Sequence, residues 1–227
     1  MPERSNKARE LLEEFRAVAG GVGLLDTILP PVLFLALNGW LGFPAAAGGS
    51  LGLALLIAVL RLSRGQTLVY TLAGLASVGL AVGLAALMGR AEAFFLPDML
   101  NNGLVVGLSL VSLALGKPMV AWTSFLARRW PLDWYWHPRV RPAYAEVTLA
   151  WTIFFALRLL FQALLFRTGS AGQLALVNTL SGWPATVLLL IASYLYGVWR
   201  LGRLGGPSVA EFRAQTPPPW QSQRRGF

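Results

Sequence analysis

From about residue 20 onward, long apolar blocks alternate with short polar breaks along the chain. The blocks run over 21–42, 44–62, 67–88, 98–116, 146–168 and 183–203, and they carry few charges, most of them near block ends. Each is close to the length of about 20 mainly apolar helical residues that crosses a bilayer core. Hydrocarbon offers no partner for backbone N–H and C=O groups, so each block reads as a helix. The pattern predicts an all-α, polytopic membrane helix bundle of about six transmembrane helices.

The polar stretches differ among themselves. In residues 1–19, Leu11, Leu12, Phe15 and Val18 recur at helical spacing among Glu10, Glu13, Glu14 and Arg16. This segment reads either as an amphipathic surface helix or as a frayed charged tail. Residues 117–145, rich in Trp, Arg and Pro, form an interfacial loop, and residues 169–182 form a re-entrant or surface connection. Residues 204–227 carry Pro217-Pro218-Pro219 and few apolar residues, so they are expected to be extended or disordered.

Composition narrows the class. Of 227 residues, 56% are hydrophobic and 13% charged, against about 25% charged in a soluble domain. Residues 20–203 therefore read as one membrane domain with little left for a soluble one. There is no cysteine, which excludes thiol nucleophiles, thiolate metal sites and disulfides. No cleavable signal is apparent. The formal net charge is +9, and 16 of the 19 Lys and Arg fall in every second polar segment. Under the positive-inside rule this puts both termini on the cytoplasmic side of a bacterial-type plasma membrane and supports an even number of spans. It also favours anionic lipid headgroups as partners and makes nucleic acid unnecessary.

Glycine pairs at four-residue spacing, Gly48 and Gly52, Gly79 and Gly83, Gly103 and Gly107, would let helix backbones approach closely. Tight packing within the bundle is the expected use.

Candidate chemistry lies with polar groups inside the spans. Arg158 sits near the middle of the fifth block, where a charge costs about 2.5–3.5 kcal/mol to insert. It needs a partner, either Asp26 in the first block or Asp98 with Asn101 and Asn102 at the end of the fourth. Pro30 and Pro31 lack N–H groups and predict a kink that leaves the carbonyls of Asp26 and Thr27 without helical donors. Side chains lean towards the helix N-terminus, which favours Asp26. Asp26, Arg158 and Gln162 thus form the candidate intramembrane site, with helix register as its plainer role. A second cluster, Arg90, Glu92, Asp98, Asn101 and Asn102, with Gln162 and Asn178 nearby in the reading, is either a solvated loop capped by Asp98 or a polar vestibule. In 117–145, Trp122, Trp130, Trp134, Tyr135 and Trp136 mix with Arg128, Arg129, Arg139 and Arg141, which suits a headgroup or partner interface. The single histidine, His137, is a poor start for a cofactor site. No catalytic triad, metal set or cofactor site is discernible.

Several stretches carry a family likeness: Gly20-Gly21 with Leu24-Leu25-Asp26 and Leu29-Pro30; Gly89-Arg90-Ala91-Glu92 with Phe94-Phe95-Leu96-Pro97; Gly116-Lys117-Pro118; Thr148-Leu149-Ala150-Trp151 with Arg158 and Gln162; and Gly182-Trp183-Pro184. Together they resemble the bacterial membrane-protein family called domain of unknown function 3159, itself remotely similar to the intracellular septation protein A family. The resemblance implies a multi-spanning plasma-membrane protein and no established activity. The double proline and the Pro-rich tail depart from that pattern. The expected function is a non-enzymatic scaffold or small subunit of a membrane complex. The alternative is a transporter of small solutes, ions or protons built on the kinked first span and the Asp/Arg pair.

Overall fold

The computed structural model describes residues 24–227, apart from 64, 66, 169, 170 and 225 and the side chains of 24–28, 70 and 183. The segment 1–19 and the carboxylate of Asp26 lie outside the described residues. All regular structure among them is helical. The chain forms two units, one from residues up to Leu100 with Phe161–Trp183, the other from Asn101–Leu160 with Pro184–Phe227.

The first unit opens with α1 (Leu24–Leu41), α2 (Phe43–Ser63) and α3 (Leu68–Met88). Pro30 and Pro31 lie inside α1, yet the helix continues past them. The seam of α2 is made of small side chains: Ala46, Ser50, Ala54 and Ala58 recur every fourth residue and all are buried. Ser50 donates from Oγ to the carbonyl of Pro30 at 3.4 Å, tying α2 to α1 at the proline pair. This corrects the glycine expectation at five of its six positions. Among the described residues no atom lies within 4 Å of where a Cβ would stand at Gly48, Gly52, Gly79, Gly83 or Gly107, whereas at Gly103 the Leu159 side chain lies 3.7 Å from it. Two positions along a helix are about 200° around it, so Gly48 and Gly52 point away from the alanine seam.

α3 ends at Gly89, whose φ of 61° is the left-handed cap conformation that glycine adopts without strain. A 3-10 turn, Ala91–Phe95, follows and leads directly into α4 (Leu96–Ala114). Glu92, Ala93, Phe94 and Phe95 are buried, so this turn is core and not the solvated loop of the plainer expectation. Phe94 stacks on Phe34 of α1 with ring centroids 4.3 Å apart. The unit is completed by the end of α7 (Arg141–Thr168) and by α8 (Ala171–Ser181), which buries Leu174 and Ala175 in the same core.

The second unit contains the rest of α4, then α5 (Met119–Arg128), α6 (Leu132–Trp136), most of α7, α9 (Trp183–Leu204) and α10 (Val209–Arg213). Residues 117–145 are largely helical, and they supply the core: Ala121, Trp134, Tyr135, Val140, Ala143 and Tyr144 pack with Leu201 and Val209. The tail is folded too. Ser208 and Glu211 form a reciprocal capping box at the start of α10. The tail was expected to be extended or disordered; beyond α10 its described residues form no further helix, but large rings at Phe212, Trp220 and Phe227 pack it against the unit, which the small number of apolar residues did not suggest.

Among the described residues, five stretches are long and apolar enough to cross a membrane: Phe43–Ser63, Thr71–Met88, Ala91–Ala114, Arg141–Thr168 and Ala171–Leu204. The described apolar part of α1, Leu29–Leu41, is shorter. Leu51, Leu55, Val59, Leu104, Leu108, Leu157 and Leu164 are among the large apolar side chains these helices leave exposed, as lipid-facing surfaces require.

Candidate functional site

The polar cluster of the first unit is centred on Gln162. Its side chain, carried inward by α7, is wholly buried. Nε2 donates to Asp98 Oδ2 at 2.7 Å and to Asn178 Oδ1 at 2.5 Å. A carboxamide nitrogen has two hydrogens, so both are used and the orientation of the amide is fixed. Asp98 stands in the first turn of α4, where the positive helix end favours a carboxylate. One amide thereby joins α4, α7 and α8.

Arg90 closes the same unit. Its Nη2 donates to the carbonyl of Phe166 at 2.8 Å, its guanidinium lies 5.0 Å from the centre of the Phe166 ring, and Nε is 3.6 Å from Glu92 Oε2. The last carbonyls of a helix have no intrahelical donor, and here an arginine satisfies one of them. Arg90, Glu92, Asp98, Gln162 and Asn178 therefore share one unit. Asn101 and Asn102, grouped with them from the sequence, belong to the second unit, where Asn101 is exposed and Asn102 buried. Arg158 also belongs there, half-buried on α7 one turn before Gln162. Its pairing with Asp26 rests on a side chain outside the described residues.

A cavity of about 50 Å³ lies between α1, α2 and α3, lined among others by Pro30, Ala54, Ala58, Arg61, Thr71 and Gly74. Arg61 is one of the basic residues that mark every second polar segment, and the sequence pattern assigned it no other role. Its place in the last turn of an apolar helix, opposite a proline pair, was the available signal.

In the second unit Glu146 accepts from Arg200 through both oxygens, at 2.7 and 2.8 Å, and from the Tyr196 hydroxyl at 2.7 Å. This fork-on-fork geometry ties α7 to α9. Trp151 Nε1 donates to Ser193 Oγ at 2.9 Å between the same helices. Neither connection is legible in the sequence, because the partners lie 54 and 42 positions apart on different helices.

The aromatic segment differs most from expectation. Trp134, assigned to a lipid or partner interface, is completely buried and donates from Nε1 to the carbonyl of Pro207 at 2.8 Å. Trp130, Trp136 and Arg128 are half-buried, and Arg129 is exposed. Arg128 lies 5.1 Å from the Trp130 ring and Arg129 lies 6.0 Å from that of Phe125. Tyr135 shares a hydrogen bond of 3.1 Å with Ser124, and burial raises its hydroxyl above the usual tyrosine range. His137 is held below the ordinary imidazole range, first by burial and then by Arg139. No cluster of three or more His, Cys, Asp or Glu able to hold a metal occurs among the described residues.

The sequence pattern of the proteins of unknown function called DUF3159 matches residues 18–199. The chain belongs to the DUF3159 family. The match takes in the Asp98–Gln162–Asn178 cluster and the cavity of this DUF3159 protein, and it ends before the tail that follows α9. No curated protein and no solved structure matches the chain.

Proposed function

We propose that this DUF3159 protein is a non-catalytic component of the bacterial plasma membrane, a scaffold or small subunit of a larger membrane complex, with both termini cytoplasmic. The carrying observation is the orientation of the glycines on α2 and α3. Gly48 and Gly52 are exposed, and they and Gly79 and Gly83 have open space where a side chain would begin. Glycine on an outward helix face lets a second helix come close, and close packing is a main source of association in lipid. Asp98, Gln162 and Asn178 bond one another inside one unit, and Trp151 bonds Ser193 and Glu146 bonds Arg200 inside the other, as internal ties do. Anionic lipids suit the exposed arginines at the basic ends of the helices.

The absence of native cysteine makes the test direct. Gly48→Cys, Gly52→Cys and Gly79→Cys are introduced singly and oxidised or cross-linked in native membranes. Site-specific adducts are expected from these variants, with none from Ser50→Cys on the buried seam. A clean monomer in mild detergent, with no adduct from any glycine position, would refute the proposal.

The cavity beside Pro30 favours a second reading, transport. Its volume of about 50 Å³ exceeds the roughly 10–15 Å³ of such space that admits one water, so it holds only a few water molecules. That size restricts the reading to protons or a small ion. Proteoliposomes carrying the protein would then dissipate a pH gradient, and Arg61→Gln or Asp26→Asn would abolish it.

A further inference from the structure

The second unit contains a built pocket for one aromatic ring, and we infer that the tail is a latch whose Phe227 side chain occupies it. The pocket lies between α7 and α9. Its floor is Tyr144, which is wholly buried and faces Phe227 in a parallel stack, centroids 4.3 Å apart and planes 8° from parallel. Its wall is α9 at Gly197, where the Phe227 ring occupies the space that a Cβ would fill. Any other residue at 197 would expel the ring. Arg128 donates from Nε to the carbonyl of Phe227 at 3.3 Å, and the Gly226 N–H donates to the Tyr194 hydroxyl at 3.4 Å.

The remainder of the tail is held along its length by hydrogen bonds and ring contacts. Gln223 Oε1 accepts from the Val209 N–H at 3.1 Å, and Glu211 Oε1 accepts from the Gln221 N–H at 2.8 Å. The Trp220 ring meets His137 edge-on at 5.4 Å and lies 5.7 Å from the Arg139 guanidinium. Phe227 is itself half-buried, and its ring reaches the core of this unit at Tyr144. Release of that ring bares the face of Tyr144 and the guanidinium of Arg128. A competing peptide would have to present the same pair, an aromatic ring beside a carbonyl acceptor.

Limited trypsin digestion of the full chain in lipid nanodiscs tests the latch, because Arg213 and Arg224 lie within the tail. Phe227→Ala removes the anchor without adding volume, and Gly197→Leu fills its pocket. Both are expected to raise cleavage at Arg213 and Arg224 about tenfold, the effect of losing one aromatic pair and its burial. Phe227→Tyr should cleave like the parent. Amide exchange in α7 and α9 should stay unchanged in Phe227→Ala. Parental cleavage rates in Phe227→Ala would overturn the inference even if Gly197→Leu failed to fold. Faster exchange throughout α7 would also overturn it, since Phe227 would then be part of the core and not a releasable anchor.

Discussion

Replacing Gln162 by leucine keeps the side-chain volume and removes both donors of one nitrogen. The bond to the Asp98 carboxylate belongs to the class worth about 1.5–3 kcal/mol and that to the Asn178 carbonyl to the class worth about 0.5–1.5 kcal/mol. Within membrane proteins measured values run lower, averaging about 0.6 and reaching about 1.7 kcal/mol per bond. Gln162 is wholly buried while Asp98 and Asn178 are half-buried, so water can reach part of what the substitution exposes. The expected loss is therefore about 1–3 kcal/mol. For a chain of this size each kcal/mol moves the melting temperature by about 2–4 °C. Thermal unfolding in detergent, followed by the fluorescence of the nine tryptophans, should show Gln162→Leu melting roughly 3–10 °C early. Gln162→Glu should melt lower still, because it sets a second carboxylate against Asp98. Asn178→Leu should fall between parent and Gln162→Leu. A Gln162→Leu protein that melts with the parent would refute the view that this amide joins three helices.

Three other perturbations separate the remaining assignments. Ala46→Leu should overpack the α2 seam and cost about 1–3 kcal/mol in the same melt, whereas Gly52→Leu, which points into open space, should leave the monomer's melt unchanged. Phe94→Ala removes a ring stacked on Phe34 in the first core, and losses of this kind run about 3–5 kcal/mol; a partly collapsed preparation is the expected result on size exclusion. The tail should loosen in acid. The Glu211 carboxylate is held below the ordinary range by the Gln221 and Ser208 N–H groups and the Ser208 hydroxyl. A lowered carboxylate stabilises the fold above its unfolded value and ceases to do so as pH falls through the folded value, hence below about pH 4. His137, also lowered, acts in the same sense at milder acidity: once the Trp220 ring leaves it, its imidazole binds the proton more readily, so docking weakens as pH drops below about 6.5. Pulse-labelled hydrogen exchange over residues 208–227 should show both steps, and Glu211→Gln should remove the lower one.

Membrane helices were legible in the sequence because length and apolarity are sufficient signals. Gly89 closing α3 and Gln162 lying inside were legible for the same kind of local reason, a turn residue after an apolar block and an amide within one. What escaped was direction around a helix. The four-residue spacing of Gly48 and Gly52 is identical to that of Ala46, Ser50, Ala54 and Ala58, and in a uniformly apolar block nothing marks which stripe faces inward. In a soluble helix a polar face would have marked it. The bond between Glu146 and Arg200 joins residues 54 apart in sequence, and no local pattern announces such a partner. Trp134 was misassigned for a related reason. Tryptophan beside arginine suits a headgroup layer, but its N–H also finds a carbonyl, here that of Pro207, when the surrounding segment folds on itself.

The narrow α2 seam has a thermodynamic consequence. Alanine has no rotamers to lose, and serine few, so closing α2 onto its neighbours costs almost no side-chain freedom. Aromatic contacts such as Phe34 on Phe94 carry a larger ordering cost and need the distant 3-10 turn to be present. The hairpin of α1 and α2 should consequently assemble first, inexpensively and without waiting for the rest of the chain, and serve as the template on which the later helices are laid.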